Sequence, residues 1–294
     1  MSRGRDAAAL VALLREGHRP WHEYAGALEQ AGSALSVLEA ELSVTHGQTS
    51  LLPDDPTPLL DRAGTEIEVW EREGFQLVTV LDAAYPPNLR TVHDRPPLIF
   101  VEGRLAAQDS RSVAVIGARR ASAAGMAAAA NVAEDLVGAG YVVVSGLAAG
   151  IDTAAHQAAL GTGGRTVAVI GTGLRRAYPV ENAGLQRRIA AEGAVVSQFW
   201  PEAGPSRGTF PRRNAVMSGF ALATVVVEAS SRSGARVQSR LALAHGRPVF
   251  LLEPLLAQTW ARELARRPGV HVVTRAAEIT ATIERLHATD ALVE

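Results

Sequence analysis

Cysteine is absent from the 294 residues, and lysine is absent too. Without thiols there is no disulfide framework, no thiolate zinc site, no iron–sulfur cluster and no cysteine nucleophile, and a reducing cytoplasm is the expected location. Without lysine there is no Schiff-base chemistry and no P-loop cation, so all 29 basic side chains are arginine. Long apolar runs are missing as well. None approaches the roughly 20 residues that span a bilayer, and Arg15 and Glu16 interrupt the first apolar stretch, so neither export nor membrane insertion is expected. The eight histidines are scattered and H-E-x-x-H does not occur, so no metal site is expected.

What remains is a foldable chain, 47% hydrophobic and 20% charged, with a formal net charge of only -1. That balance conceals an asymmetry. From Arg111 to Phe250 there are 15 arginines against 7 acidic residues, a local excess of +8, which points to an anionic ligand of this segment. Charge alone is equally consistent with solvated helix faces.

Apolar residues from Asp6 to about Leu42 recur at helical spacing, with breaks near Pro20 and Gly32, and a further helix runs from about Leu59 to Glu73. This predicts a small helical N-terminal domain over 1–74 and a second domain over 75–294 whose core motifs lie in 111–250. Two strands, Phe75 to Val80 and Leu98 to Val101, flank a turn with paired prolines. Beyond Arg111, the runs SVAVIG, YVVVSG, RTVAVIGTG, GAVVSQ, ATVVVEA, RPVFLL and GVHVVT alternate with helical segments. Uninterrupted apolar strands imply a sheet buried on both faces, so the fold class is α/β, a doubly wound and mostly parallel sheet.

In such a sheet the ligand sits beyond the carboxyl ends of the strands. Those ends carry GARRAS, SGLAAGID, GTG and EASSRSGAR, whose glycines and serines let backbone N–H groups approach an anion. The first loop does not give G-x-G-x-x-G, and Ser145-Gly146 stands where a ribose-binding acid belongs, so no nicotinamide or flavin cofactor is expected. Gly204-Pro-Ser206-Arg-Gly208 matches G-x-S-x-G but lies in a loop, where a nucleophile elbow does not form. Asp152 and His156 lie four apart at a helix start. They form either a general base with its orienter or, as the stronger reading, a helix cap beside a loop-bonded histidine. Glu228, Ser233 and Gly234 are likewise either loop-organising or ligand-facing. Phe210-Pro-Arg212-Arg213-Asn214 joins an aromatic, two guanidiniums and an amide at a helix start, the combination single-stranded nucleic acid requires.

From Phe75 to Phe250 the chain resembles the DNA-processing protein A family, also called DprA or Smf. The motifs LDAAYPPNLR, PPLIFVEG, VAVIGARRAS, VVSGLAAGIDTAAHQAAL, VAVIGTGLRRAYPVEN, FPRRNAVMSG and VVVEASSRSGARVQSRLALAHGRPVF occur in the family's order. The resemblance implies an extended Rossmann-like domain that binds single-stranded DNA, forms a homodimer and helps load a RecA-type recombinase, in recombination and natural transformation, with no catalysis and no cofactor. It implies a DNA site made of Gly117, Arg119, Arg120 and Ser122, Ser145 and Gly146, Gly171 and Gly173, and Phe210, Arg212, Arg213 and Asn214. Some positions depart from the pattern. Alanine stands at 149 and 215 where members carry arginine, VQSR follows Ala235, the segment past Phe250 differs, and no C-terminal winged helix is expected. These departures leave room for a divergent paralogue with altered DNA binding. The alternative is a nucleotide sensor or nucleotide-cleaving enzyme of the phosphoribohydrolase class, in which Asp152, His156 and Glu228 would matter more than the arginines.

Overall fold

The computed structural model describes residues 2–17, 19–44 and 55–290. Four helices open the chain: α1 (Ser2–Glu16), α2 (Trp21–Ala31), α3 (Ala34–Val44) and α4 (Thr57–Arg72). The breaks fall where expected. Pro20 precedes α2 and cannot extend α1, and Gly32 ends α2 at φ +69°, a left-handed conformation that glycine adopts without strain.

Strands β1 (Phe75–Thr79) and β2 (Leu98–Gly103) follow, with the short helix α5 (Pro87–Arg90) between them. The α/β part then runs β3 (Ser112–Ile116), α6 (Ala123–Gly138), β4 (Val142–Ser145), α7 (Ile151–Gly161), β5 (Thr166–Val169), α8 (Ala183–Glu192) and β6 (Ala194–Ser197). It continues through α9 (Thr209–Phe220), β7 (Ala223–Val226), α10 (Gly234–Ala244), β8 (Val249–Leu252), α11 (Thr259–Leu264), β9 (Val270–Val273) and α12 (Ala276–Asp290). All seven apolar runs read from the sequence are strands.

They assemble one nine-stranded sheet in the order β1-β2-β6-β5-β4-β3-β7-β8-β9. Every pair from β6 to β9 along that order is parallel, whereas β2 pairs antiparallel with both β1 and β6. The α/β class and the mostly parallel sheet are as expected. Side chains alternate between the faces along each strand. In β3, Val113 and Val115 enter a core with α6, α7 and α12, and Ala114 and Ile116 enter the opposite core with α8 to α10. That second core is continuous with the N-terminal helices through Leu10, Leu28, Leu60 and Trp70. Starting at β3, the chain winds out through β4, β5 and β6 and then returns across β3 to place β7 on its other side. The gap beyond the carboxyl ends of β3 and β7 is therefore the topological switch point.

Candidate nucleic-acid interface

A crevice of about 660 Å³ opens at that switch point, lined by the loop after β3, the loop after β7 and the first turns of α9 and α10. A smaller pocket of about 130 Å³ adjoins it beside the loops after β4 and β5. Arg119, Ala148, Phe210 and Arg213 line both. The Arg119 guanidinium lies 4.9 Å above the Phe210 ring, and the ring of the exposed Tyr178 packs tilted against Phe210 at 5.6 Å. Arginine and two aromatics thus form a ridge between the two hollows, a surface suited to planar bases and a phosphate. Arg120 and Arg232 are exposed on the rim of the larger crevice.

Hydrogen bonding within the loops gives the remaining expected residues quite different positions. Ser122 caps α6 by accepting from the Gly125 N–H at 2.9 Å, and its hydroxyl donates to Glu228 Oε2 at 2.5 Å. The Glu228 carboxylate also accepts from the Ser122 N–H at 3.1 Å, so Glu228 ties the end of β7 to the loop after β3. Gly117 makes room at this junction, because a Cβ there would lie 2.5 Å from Ile151 and 2.7 Å from the Glu228 carbonyl. Ser233 caps α10 by accepting from the Ala235 N–H, and Ser233 and Gly234 both line the larger crevice.

A second network lies beneath the ridge. Arg213 is buried, and its Nη1 donates to the carbonyls of Gly146 at 2.6 Å and Val169 at 2.9 Å, while its Nε donates to Asn214 Oδ1 at 3.0 Å. Asp152 is buried too and accepts from the N–H groups of Gly146 at 3.1 Å and Ala148 at 3.4 Å. Burial holds the Asp152 carboxyl above the ordinary aspartate range, against the opposing pull of the Arg213 charge and the loop amides. Gly146 is therefore held through its N–H by a carboxylate and through its carbonyl by a guanidinium, on two successive peptides. A Cβ on residue 146 would collide with the guanidinium itself.

Asp152 bonds amides of the loop before α7, whose N-cap is Gly150 with no side-chain bond, and His156 bonds a strand residue. His156 is fully buried and bonds Thr166 Oγ1 through Nδ1 at 2.7 Å, and that hydroxyl donates to the Val143 carbonyl. Burial pushes its pKa down to about 3, so the ring is neutral. Asp152 and His156 serve different partners and do not assemble a general base. Ser145 is fully buried too, its hydroxyl donating to the Val115 carbonyl at 2.6 Å.

Several expected residues do not converge on the crevice. Arg212 leaves α9 on another side, 5.5 Å from the Trp21 ring and 5.3 Å from Phe199, and lines a separate cleft of about 530 Å³ together with Asp94 and Ala215. Gly173 packs against the carbonyls of Trp200 and Pro201 rather than facing the ligand space. Gly171 does border the smaller pocket, where a Cβ would lie 2.9 Å from the Phe210 ring. Ala149 lines the same pocket and is exposed. Tyr178 and Arg232 escaped the sequence reading, although AYPVEN and EASSRSGAR, which contain them, were among its motifs.

The profile of the family described as DNA recombination-mediator protein A matches residues 76–286. The chain belongs to this family. Among curated relatives, DNA processing protein DprA of Streptococcus pneumoniae is 41% identical over 182 residues, covering 62% of this chain and 64% of that one. Protein Smf of Escherichia coli is 40% identical over 183 residues, covering 62% and 49%. The chain thus aligns with half to two thirds of the length of these family members. The crystallographic structure of the S. pneumoniae protein superposes with a TM-score of 0.74 at 30% identity, over 92% of this chain and 95% of that one. DNA processing protein A of Helicobacter pylori, studied for its single-stranded DNA binding mode, has the same fold, with a TM-score of 0.64 at 24% identity over 72% and 96% of the two chains. Among the described residues, no helix is long and apolar enough to cross a membrane.

Proposed function

We propose that this family member binds single-stranded DNA across the ridge and crevice at the β3–β7 switch point, and presents it to a RecA-type recombinase. It acts there as a cytoplasmic homodimer without catalysis or cofactor. The observation that carries the reading is the Arg119–Phe210–Tyr178 ridge flanked by the exposed Arg120 and Arg232. Stacking on aromatic faces accepts any base, and the rim guanidiniums pair with phosphates, a combination that favours unpaired strands without sequence preference. Family membership supports the reading independently, and the commitment of Asp152, His156 and Glu228 to loop and strand hydrogen bonds weighs against nucleotide cleavage.

The test is anisotropy of a labelled oligothymidine across a salt series, with duplex of equal length as competitor. Each phosphate contact on a single strand contributes about 0.7 to the slope of log K against log salt. Replacing Arg119, Arg120 and Arg232 together by alanine is expected to flatten the slope by about 2. Phe210→Ala is expected to cost about 1–3 kcal/mol of binding with little change in slope, since stacking releases no counterions. Binding that ignores salt, or that prefers duplex, overturns the proposal.

A further inference from the structure

Outside the crevice, three potential metal ligands meet that are far apart in sequence. His93 and Asp94 lie in the segment between α5 and β2, and His245 caps the carboxyl end of α10, 151 positions after Asp94. One donor atom from each residue falls within 4.8 Å of the other two. We propose that His93, Asp94 and His245 bind a zinc-type divalent cation. Two imidazoles and one carboxylate are the nitrogen and oxygen donors that zinc accepts, with a fourth position left for water.

The site is built around His245, whose side chain is only 1% exposed. The Ser218 hydroxyl lies 2.8 Å from Nδ1, and Nε2 points at Asp94 Oδ1, also 2.8 Å away. A hydroxyl held on Nδ1 fixes the ring so that Nε2 is the ligating atom, the arrangement of histidines in metal sites. His93 stands edge-on to the same ring at 5.5 Å and is exposed, so its side chain can turn a ring nitrogen toward the cation. Metal–ligand bonds of about 2.0–2.1 Å place tetrahedral donors about 3.3 Å apart, so the His245–Asp94 pair has to open by only about half an ångström. The cation takes the place of the proton that otherwise bridges Nε2 and the carboxylate.

Serine, histidine and aspartate in contact also have the make-up of a hydrolase triad. That use is closed here, because Ser218 is fully buried within α9 and touches Nδ1 while the acid touches Nε2. The consequence of a bound ion is mechanical. It joins the segment before β2 to α10, and through Ser218 to α9, the helix that carries Phe210 and Arg213.

The full-length chain, stripped with a chelator, is titrated with zinc chloride by calorimetry and followed by thermal denaturation. Expected are one zinc per chain and a rise in Tm that depends on zinc concentration, since only the folded state assembles the site. His93→Ala, at an exposed position, and Asp94→Asn, which keeps the side chain's size, are each expected to weaken binding by tenfold or more and to remove the Tm response. His271→Gln leaves both unchanged. Cobalt supplies a second readout, a tetrahedral visible absorption that both site variants lose. Zinc binding below one equivalent, or affinity that survives both His93→Ala and Asp94→Asn, overturns the proposal.

Discussion

Replacing Arg213 by alanine removes two charge-assisted hydrogen bonds to buried carbonyls and leaves Asp152 without its facing charge. Truncating one partner of a buried charged network leaves the other uncompensated, so the expected loss is about 3 kcal/mol or more of folding stability. Urea denaturation checks this, and Arg119→Ala, at an exposed position, is expected to leave the midpoint almost unmoved while weakening DNA binding. Ala149 offers the opposite experiment. It is exposed at the edge of the smaller pocket, so Ala149→Arg is expected to tighten oligothymidine binding and steepen the salt slope by about 0.7. His156 sets a pH dependence whose sign follows from its burial. A histidine ordinarily titrates near 6.5 and this one near 3, so between those values the unfolded chain binds a proton that the folded chain refuses. Its contribution is fully present above pH 6.5 and is lost as pH falls toward 3, by at most about 1.4 kcal/mol per pH unit. Urea midpoints from pH 7 to pH 4 are expected to fall less steeply for His156→Gln than for the wild type.

At the scale of elements, the strand-end loops depend on helix caps as much as on glycine. Ser122 satisfies the start of α6 and receives Glu228 from the end of β7. Ser122→Ala is expected to cost about 1 kcal/mol, read as a lower urea midpoint with an unchanged m-value. A larger loss would mean that the Glu228 link holds more than one loop. The strands were legible in the sequence because a sheet covered on both faces uses continuous apolar runs, and chain direction alone marked their carboxyl ends, where the crevice opens. The fate of each side chain within the motifs was not legible. FPRRN reads as one basic cluster, yet successive residues of a helix diverge by about 100°, so Arg213 enters the core while Arg212 settles between Trp21 and Phe199. Gly146, Gly171 and Gly173 look alike as loop glycines, but a guanidinium, a ring and two carbonyls respectively occupy the space a Cβ would need. Tyr178 joins the ridge, and His245 meets Asp94, only through long-range packing, which no local spacing records.

For the whole molecule, the open question of organisation is whether the N-terminal helices unfold apart from the sheet. The division near residue 74 was drawn from a change in sequence pattern, whereas the packing runs across it. Trp70 of α4 lies edge-on to Phe100 of β2 at 5.0 Å and stacks on Trp200 at 5.8 Å, and Trp21 of α2 meets Trp200 at 5.5 Å. Arg15 of α1 covers Trp200 from 4.0 Å. Three of the four tryptophans therefore report on one junction between the helices and the sheet, so fluorescence follows docking while far-UV circular dichroism follows all the helices and strands. A shared core predicts that both signals change in a single coincident urea transition. Trp70→Ala, at a site only 3% exposed, is expected to lower stability by about 3–5 kcal/mol and to move both signals together. If fluorescence instead changes at lower urea than circular dichroism, the helices undock first and 1–74 is a separate folding unit. In that event, removing the helices would leave the switch-point crevice assembled. If the transitions coincide, the crevice depends on them, because Phe199, which packs against Arg212 of α9, directly precedes Trp200.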